Sequence, residues 1–273
     1  MSMGQVRRAL LIGLLLGVAV SSAWAGPPYL TDDAETPEAG CWELNLSCIR
    51  TRTSAQTQIN QPLVDVNYGV RSDLEATLEL PLNHVSGTGM PSNTGLGDAL
   101  VGMKWCFRDQ GEGWPKLGLL PQMTLPTGAA DRGLGAGKAT YGLPLLVEYE
   151  RKSWLAFVNV GYVWQQAAGA SDYGYYGATV CHEAGRRWQF GGELLGRAAS
   201  DVGGRSLLAY NLGGEYELRR DVSVLFSAGH SLKGEDTSLL YAGLQFQLGT
   251  GSEANSERRM APTQLEAPSA QEH

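Results

Sequence analysis

From Trp42 to Leu248 the chain alternates apolar and polar residues with period two, segment after segment. After residue 25 it holds no apolar run near the ~20 residues a membrane helix needs. "WELNLSCIR" puts Trp42, Leu44, Leu46 and Cys48 on one face and Glu43, Asn45 and Ser47 on the other. "DLEATLELPL" sets Leu74, Ala76, Leu78 and Leu80 against Glu75, Thr77 and Glu79. "GDALVGMKWCF", "ATYGLPLLVEYE", "SWLAFVNVGYVW" and "LLYAGLQFQL" follow the same rule. In all there are about twelve such segments of roughly ten residues, the length of a tilted strand that crosses a bilayer.

The links have their own order. "GVRSD", "YERKS", "HEAGRR" and "LRRDV" are short and charged. Longer polar or Gly-rich links lie between them: "NHVSGTGMPSNTG", "PTGAADRGLGAGKA", "QQAAGASD", "RAASDVGGRS" and "SLKGEDTS". Short periplasmic turns and longer outside loops have this asymmetry. Directions assigned from the links place Trp42, Tyr68, Trp105, Phe107, Tyr149, Trp154, Trp188, Tyr216 and Phe246 toward the periplasmic ends. Tyr141, Tyr162, Trp164, Tyr176 and Tyr210 fall toward the outer ends. Amphipathic rings favour the two interfaces, so paired girdles predict an antiparallel transmembrane β-barrel of about twelve strands. A secreted β-sandwich also alternates, but it requires neither girdles nor this order of links. Only one face of each strand meets lipid, which reconciles a membrane protein with a hydrophobic content of 43%.

"LPTGAADRGLGAGK", Leu125 to Lys138, resembles a phosphate cradle only superficially. A P-loop needs Gly five residues before Gly137 and a hydroxyl after the lysine; the residues are Arg132 and Ala139, and a strand-like stretch follows. Gly128–Gly137 reads as an extracellular loop.

Arg7-Arg8, the apolar "ALLIGLLLGVAV" and Ala23-x-Ala25 make an export signal with cleavage before Gly26. Loss of Arg7 and Arg8 lowers the 21 Lys and Arg to 19, against 28 Asp and Glu that all lie at or beyond Asp32, a net charge of −9. A nucleic-acid partner is excluded on that balance. The expected divisions are a signal peptide over 1–25, an N-terminal periplasmic segment or lumen plug over 26–40, a barrel over 41–248 and a disordered periplasmic tail over 249–273. Cys41, Cys48, Cys106 and Cys181 match no zinc spacing and read as small apolar fillers rather than a disulfide framework.

With apolar residues outward, the inward set holds ten acids: Glu43, Asp65, Glu75, Glu79, Asp98, Glu148, Glu150, Glu193, Glu215 and Glu217. Lys104 and Arg197 are the clear inward bases, and Gln122, Thr124, Asn159, Gln189 and Asn211 add neutral polar groups. The candidate lumen-lining residues are Asp65, Glu79, Asp98, Lys104, Gln122, Glu148, Glu193, Arg197 and Asn211. Two readings stand side by side: a lumen that repels anions, and a packed polar interior whose carboxylates are hydrogen-bonded or protonated. No catalytic, cofactor or metal set is expected. His230-Ser231 is the one adjacent pair a lipid hydrolase could use, and neighbours on a strand point to opposite faces.

The stretch "GPPYLTDDAETPEAGCWELNL" is similar to the start of a bacterial outer-membrane family labelled for the MetA-pathway of phenol degradation, with members often named simply transporter. "VDVNYGV", "LEATLELPL", "GLGDALVGMKW", "LPTGAADRGLGAGKATYGLPLLVE", "NLGGEYEL" and "LFSAGHS" carry the resemblance from Gly26 to Leu248. It implies an outer-membrane barrel of a Gram-negative bacterium that admits aromatic or other small hydrophobic compounds. A structural or adhesive barrel and a lipid hydrolase are the alternatives. The implied partners are outer-membrane lipid, the barrel-assembly machinery and a small-molecule solute. "AGLQFQL" resembles a terminal assembly strand, but here 25 residues follow it.

Overall fold

A computed structural model describes residues 27–249. The expected signal peptide and the expected tail beyond Gly249 lie outside the described residues.

Fourteen strands form a single sheet: β1 (Trp42–Thr53), β2 (Gln56–Arg71), β3 (Leu74–Gly87), β4 (Met90–Leu96), β5 (Ala99–Arg108), β6 (Lys116–Leu119), β7 (Gln122–Leu125), β8 (Thr140–Arg151), β9 (Trp154–Gln165), β10 (Tyr173–Glu183), β11 (Trp188–Arg197), β12 (Leu207–Arg219), β13 (Val222–Lys233) and β14 (Thr237–Leu248). β4 and β5 are two halves of one span, offset at Gly97-Asp98. β6 and β7 are halves of another, broken at Leu120-Pro121, where Pro121 has no N–H to give the ladder. The fourteen strands therefore make twelve spans. β1 pairs with both β2 and β14, and β3 reaches across to β5, so the sheet closes on itself with every pairing antiparallel. Closure leaves no edge of backbone donors and acceptors against lipid.

The faces divide by chemistry. Outward residues such as Val160, Val180, Leu194 and Leu244 are exposed, as an acyl-chain surface must be, whereas inward Asn45, Asn159 and Asn211 are each 1% exposed. This is a soluble protein's distribution turned inside out. Outward aromatics cluster at both ends: Trp42 packs on Tyr68 and Trp188 on Tyr216 at the end expected to be periplasmic, each with ring centroids 4.4 Å apart, and Tyr162 packs on Trp164 at 5.1 Å toward the opposite end.

One long link is not a loop. "NHVSGTGMPSNTG" continues β3 and returns as β4, paired from Leu82↔Leu96 to Gly87↔Met90. Its outward positions lose their apolar residues above Leu82, which made it read as a link. A hairpin that rises past the lipid has no reason to keep an apolar face.

All four cysteines are free thiols; Cys41, Cys106 and Cys181 are buried and Cys48 is half-buried.

Candidate functional site: the occupied lumen

Two inward carboxylates, Glu148 and Glu193, and several inward polar groups converge on a piece of the chain itself. The segment from Pro27 to Gly40 crosses the interior, and its polar groups bond to successive wall strands. Pro28 O accepts from Ser227 Oγ of β13 at 2.7 Å and from Asn211 Nδ2 of β12 at 3.5 Å. Glu193 of β11 accepts from Leu30 N at 3.1 Å, from Thr31 Oγ1 at 2.6 Å and from Thr31 N. Asn159 of β9 makes a reciprocal pair with Asp32, receiving its N–H and donating Nδ2 to its carbonyl, both at 2.7 Å, as a neighbouring strand would. Glu148 of β8 accepts from Ala34 N at 2.8 Å. The segment then reaches the opposite wall, where Thr36 Oγ1 donates to Ser72 O and Gly40 N to Gly69 O.

Charge follows the same path. Lys104 Nζ lies 3.0 Å from Asp32, 3.4 Å from Asp33 and 3.9 Å from Glu75. Lys116 contacts Glu35 of the segment and lies 3.8 Å from Glu148 of the wall. The wall is shaped for this contact: a Cβ at Gly177 on β10 would sit 2.1 Å from Thr31 Oγ1. Tyr29 packs edge-on against Phe157, with ring centroids 6.3 Å apart.

The remaining candidates fall elsewhere on the inner surface. Asp65 is buried and receives Asn45 Nδ2 at 2.9 Å and Asn67 Nδ2 at 3.1 Å, with Glu79 its register partner on β3. Gln122 is buried on β7. Arg197 bonds to Ser200 Oγ near the outer end of β11, with its guanidinium 5.7 Å from the centre of the Tyr173 ring. Asp98 sits in the break between β4 and β5 and does not line the passage as a bare carboxylate. It accepts from Gly128 N at 2.9 Å and Ala136 N at 2.6 Å, clasping the loop Gly128–Gly137 over the mouth. Gly135 lies so close that a Cβ there would meet the Asp98 carboxylate at 2.2 Å. Leu134, in the same loop, is 2% exposed.

A family model described as "Putative MetA-pathway of phenol degradation" matches residues 50–248. The chain belongs to that family. Among solved structures, the COG4313 outer membrane channel from Pseudomonas putida F1 is similar with a TM-score of 0.69 at 12% identity, covering 82% of this chain and 100% of that one. The NanC porin is similar with a TM-score of 0.56 at 10% identity, covering 75% and 100%. The translocator domain of the autotransporter NalP from Neisseria meningitidis follows with a TM-score of 0.51 at 11% identity, covering 89% and 94%. A search of curated proteins returns no match. At these identities the likeness is one of fold, and the fold is that of an outer-membrane barrel.

In this MetA-pathway family barrel the segment is held by polar contacts that water could replace, and by charge taken out of water. Burial pushes the Asp32 carboxyl up to about 6, against the downward pull of the Lys104 ammonium. Lys116 is a third inward base, on the same parity as Gly118, Leu120, Gln122 and Thr124 and opposite Glu148, and the inward set drawn from the sequence omits it. No group of three or more His, Cys, Asp or Glu able to hold a metal ion occurs among the described residues. His230 bonds to Ser238 Oγ at 3.1 Å and lies 3.3 Å from Asp236, not beside Ser231; these groups sit at the exposed outer rim.

Proposed function

We propose that this family barrel is a passive outer-membrane channel for small neutral, hydrophobic or aromatic molecules, reached by export through the signal peptide and closed here by residues 27–40. The observation that carries the reading is the segment itself. It is a single stretch held in a polar lumen by hydrogen bonds and ion pairs, which hydrated wall groups can exchange for water at modest net cost, about 0.5–1.5 kcal/mol for a typical bond. The family's label points to aromatic solutes, and the COG4313 protein is named a channel. A structural barrel needs no such internal occupant, and a hydrolase would need the reacting groups shielded with an oxyanion site beside them. In this reading Glu193, Glu148 and Lys104 grip the segment when the channel is shut and line the passage, with Asp65, Glu79, Gln122 and Asn211, when it opens.

The test is solute uptake by proteoliposomes, comparing the wild type with a variant lacking residues 27–39. Uptake of small aromatic solutes should rise at least tenfold in the deletion, with planar-bilayer conductance rising alongside. No flux and no conductance from either protein would overturn the channel reading. Lipid hydrolysis that disappears in Ser231→Ala or Ser238→Ala would replace it with the enzymatic one.

A further inference from the structure

Arg50 and Arg52 stand on the lipid-facing side of the barrel. β1 pairs with β14 and β2 so that Arg50 lies between Leu240 and Ile59, and Arg52 between Ser238 and Thr57. Their inward neighbours Ile49 and Thr51 are buried, while both arginines are exposed. Setting aside the terminal residue of each strand, they are the only Asp, Glu, Lys or Arg on the outward face of any strand among the described residues. Neither has an ion-pair partner among those residues.

Their height is fixed by the strand. Arg52 follows Trp42, at the periplasmic girdle, by ten residues. At ~3.3 Å per residue and a tilt of ~40°, that places it about 25 Å higher, the height of the apolar band. The neighbours agree: Arg50 is flanked by apolar Leu240 and Ile59, and Arg52 by the hydroxyls of Ser238 and Thr57. The band ends between these two rows, and the stem of Arg50 is long enough for its guanidinium to reach the row of Arg52. The outer aromatic girdle, meanwhile, stops short of this sector. Tyr141, Tyr162, Trp164, Tyr176 and Tyr210 lie on β8, β9, β10 and β12, and the outer ends of β14, β1 and β2 carry no outward aromatic.

We propose that the outer end of β1 is a docking site for the phosphorylated headgroup of an outer-leaflet glycolipid, lipopolysaccharide in an outer membrane, gripped by the guanidiniums of Arg50 and Arg52. A planar guanidinium forks onto phosphate oxygens in a bidentate bond, and two of them one pleat apart present that fork where the headgroups begin. The Ser238 and Thr57 hydroxyls flank the pair. A second copy of the barrel is a poor occupant, because its outward face offers no acid short of the strand ends. Anionic headgroups supply the countercharge that the protein does not.

Native mass spectrometry of the detergent-folded barrel with lipid A tests the site. The wild type should retain lipid A carrying both phosphates at least fivefold better than a phosphate-free analogue. The double variant Arg50→Gln/Arg52→Gln should lose that preference, while Arg219→Gln, at a periplasmic turn, should keep it. Equal retention of the two lipids by the wild type would overturn the proposal without reference to any variant. So would a heat-modifiable, folded double variant that binds like the wild type. A wild-type oligomer that the double variant dissociates would also overturn it, and would make this face a subunit contact.

Discussion

Lys104 Nζ and Asp32 Oδ1 meet at 3.0 Å inside the lumen, with 7% and 8% of their side chains exposed. One belongs to the wall and the other to the segment that crosses it, and Lys104 is the cation that offsets the burial of the segment's carboxylates. Lys104 also faces Asp33 and Glu75. Lys104→Met would leave three carboxylates facing one another without a cation. The segment should then be released, and the frequency of channel openings in planar bilayers should rise tenfold or more, about 1.4 kcal/mol. A variant that conducts like the wild type would show that Lys104 does not hold the segment.

Acid should favour closure. In the closed state Asp32 has its carboxyl pushed up to about 6, and released into water it returns to an ordinary value near 3.8. Between those values the closed state binds the extra proton, so lowering the pH through 6 shifts the equilibrium toward it. Openings should become rarer from pH 7 to pH 5, and Asp32→Asn should flatten that dependence. More frequent openings in acid would reverse the sign and place control with another group.

The face assignment predicts opposite outcomes at adjacent positions. Leu244 is outward beside Leu46 and Val224, and Gln245 is inward beside Asn45 and Ser223. Leu244→Arg should impair assembly, at a cost of ~2–4 kcal/mol if the site lies near the bilayer midplane. Gln245→Arg, facing a lumen rich in acids, should be much milder. Heat-modifiable migration in detergent gels measures both, and equal damage would contradict the assignment.

The clasp at Asp98 can be tested on intact cells. Ala130 and Arg132 are exposed in the loop Gly128–Gly137. A cysteine at Ala130 should react with a membrane-impermeant maleimide without opening the outer membrane. Asp98→Ala removes the acceptor for Gly128 N and Ala136 N, and should speed tryptic cleavage at Arg132 about tenfold. Labelling only after the outer membrane is opened would invert the topology.

Alternation was legible because lipid selects on one face only. Each span repeats the same physical demand locally, so Leu244 and Gln245 could be assigned from their neighbours. Asp98 was not legible as a clasp. Alternation gives it a face, but its partners Gly128 and Ala136 arrive from a loop some thirty residues on. The hairpin of β3 and β4 was hidden for the opposite reason: above the lipid nothing enforces an apolar face, and polar strand reads like polar link. Arg50 and Arg52 were visible as residues, yet their outward direction gains meaning only once the height of the band is known.

Period-two alternation is enough for the barrel and its inward excess of acid, because these follow from nearest-neighbour periodicity and from a solvent that is oil outside and polar within. Only the tertiary structure decided what the acids do. Closing the sheet brings Glu193, Asn159, Glu148 and Lys104 around one cavity from four separate strands, and the stretch Pro27–Gly40 fills it. Asp32 and Lys104 are 72 residues apart in the chain. No local pattern encodes their meeting, because it depends on which strands face each other across a closed ring and on burial that gathers Asp32, Asp33 and Glu75 around one ammonium.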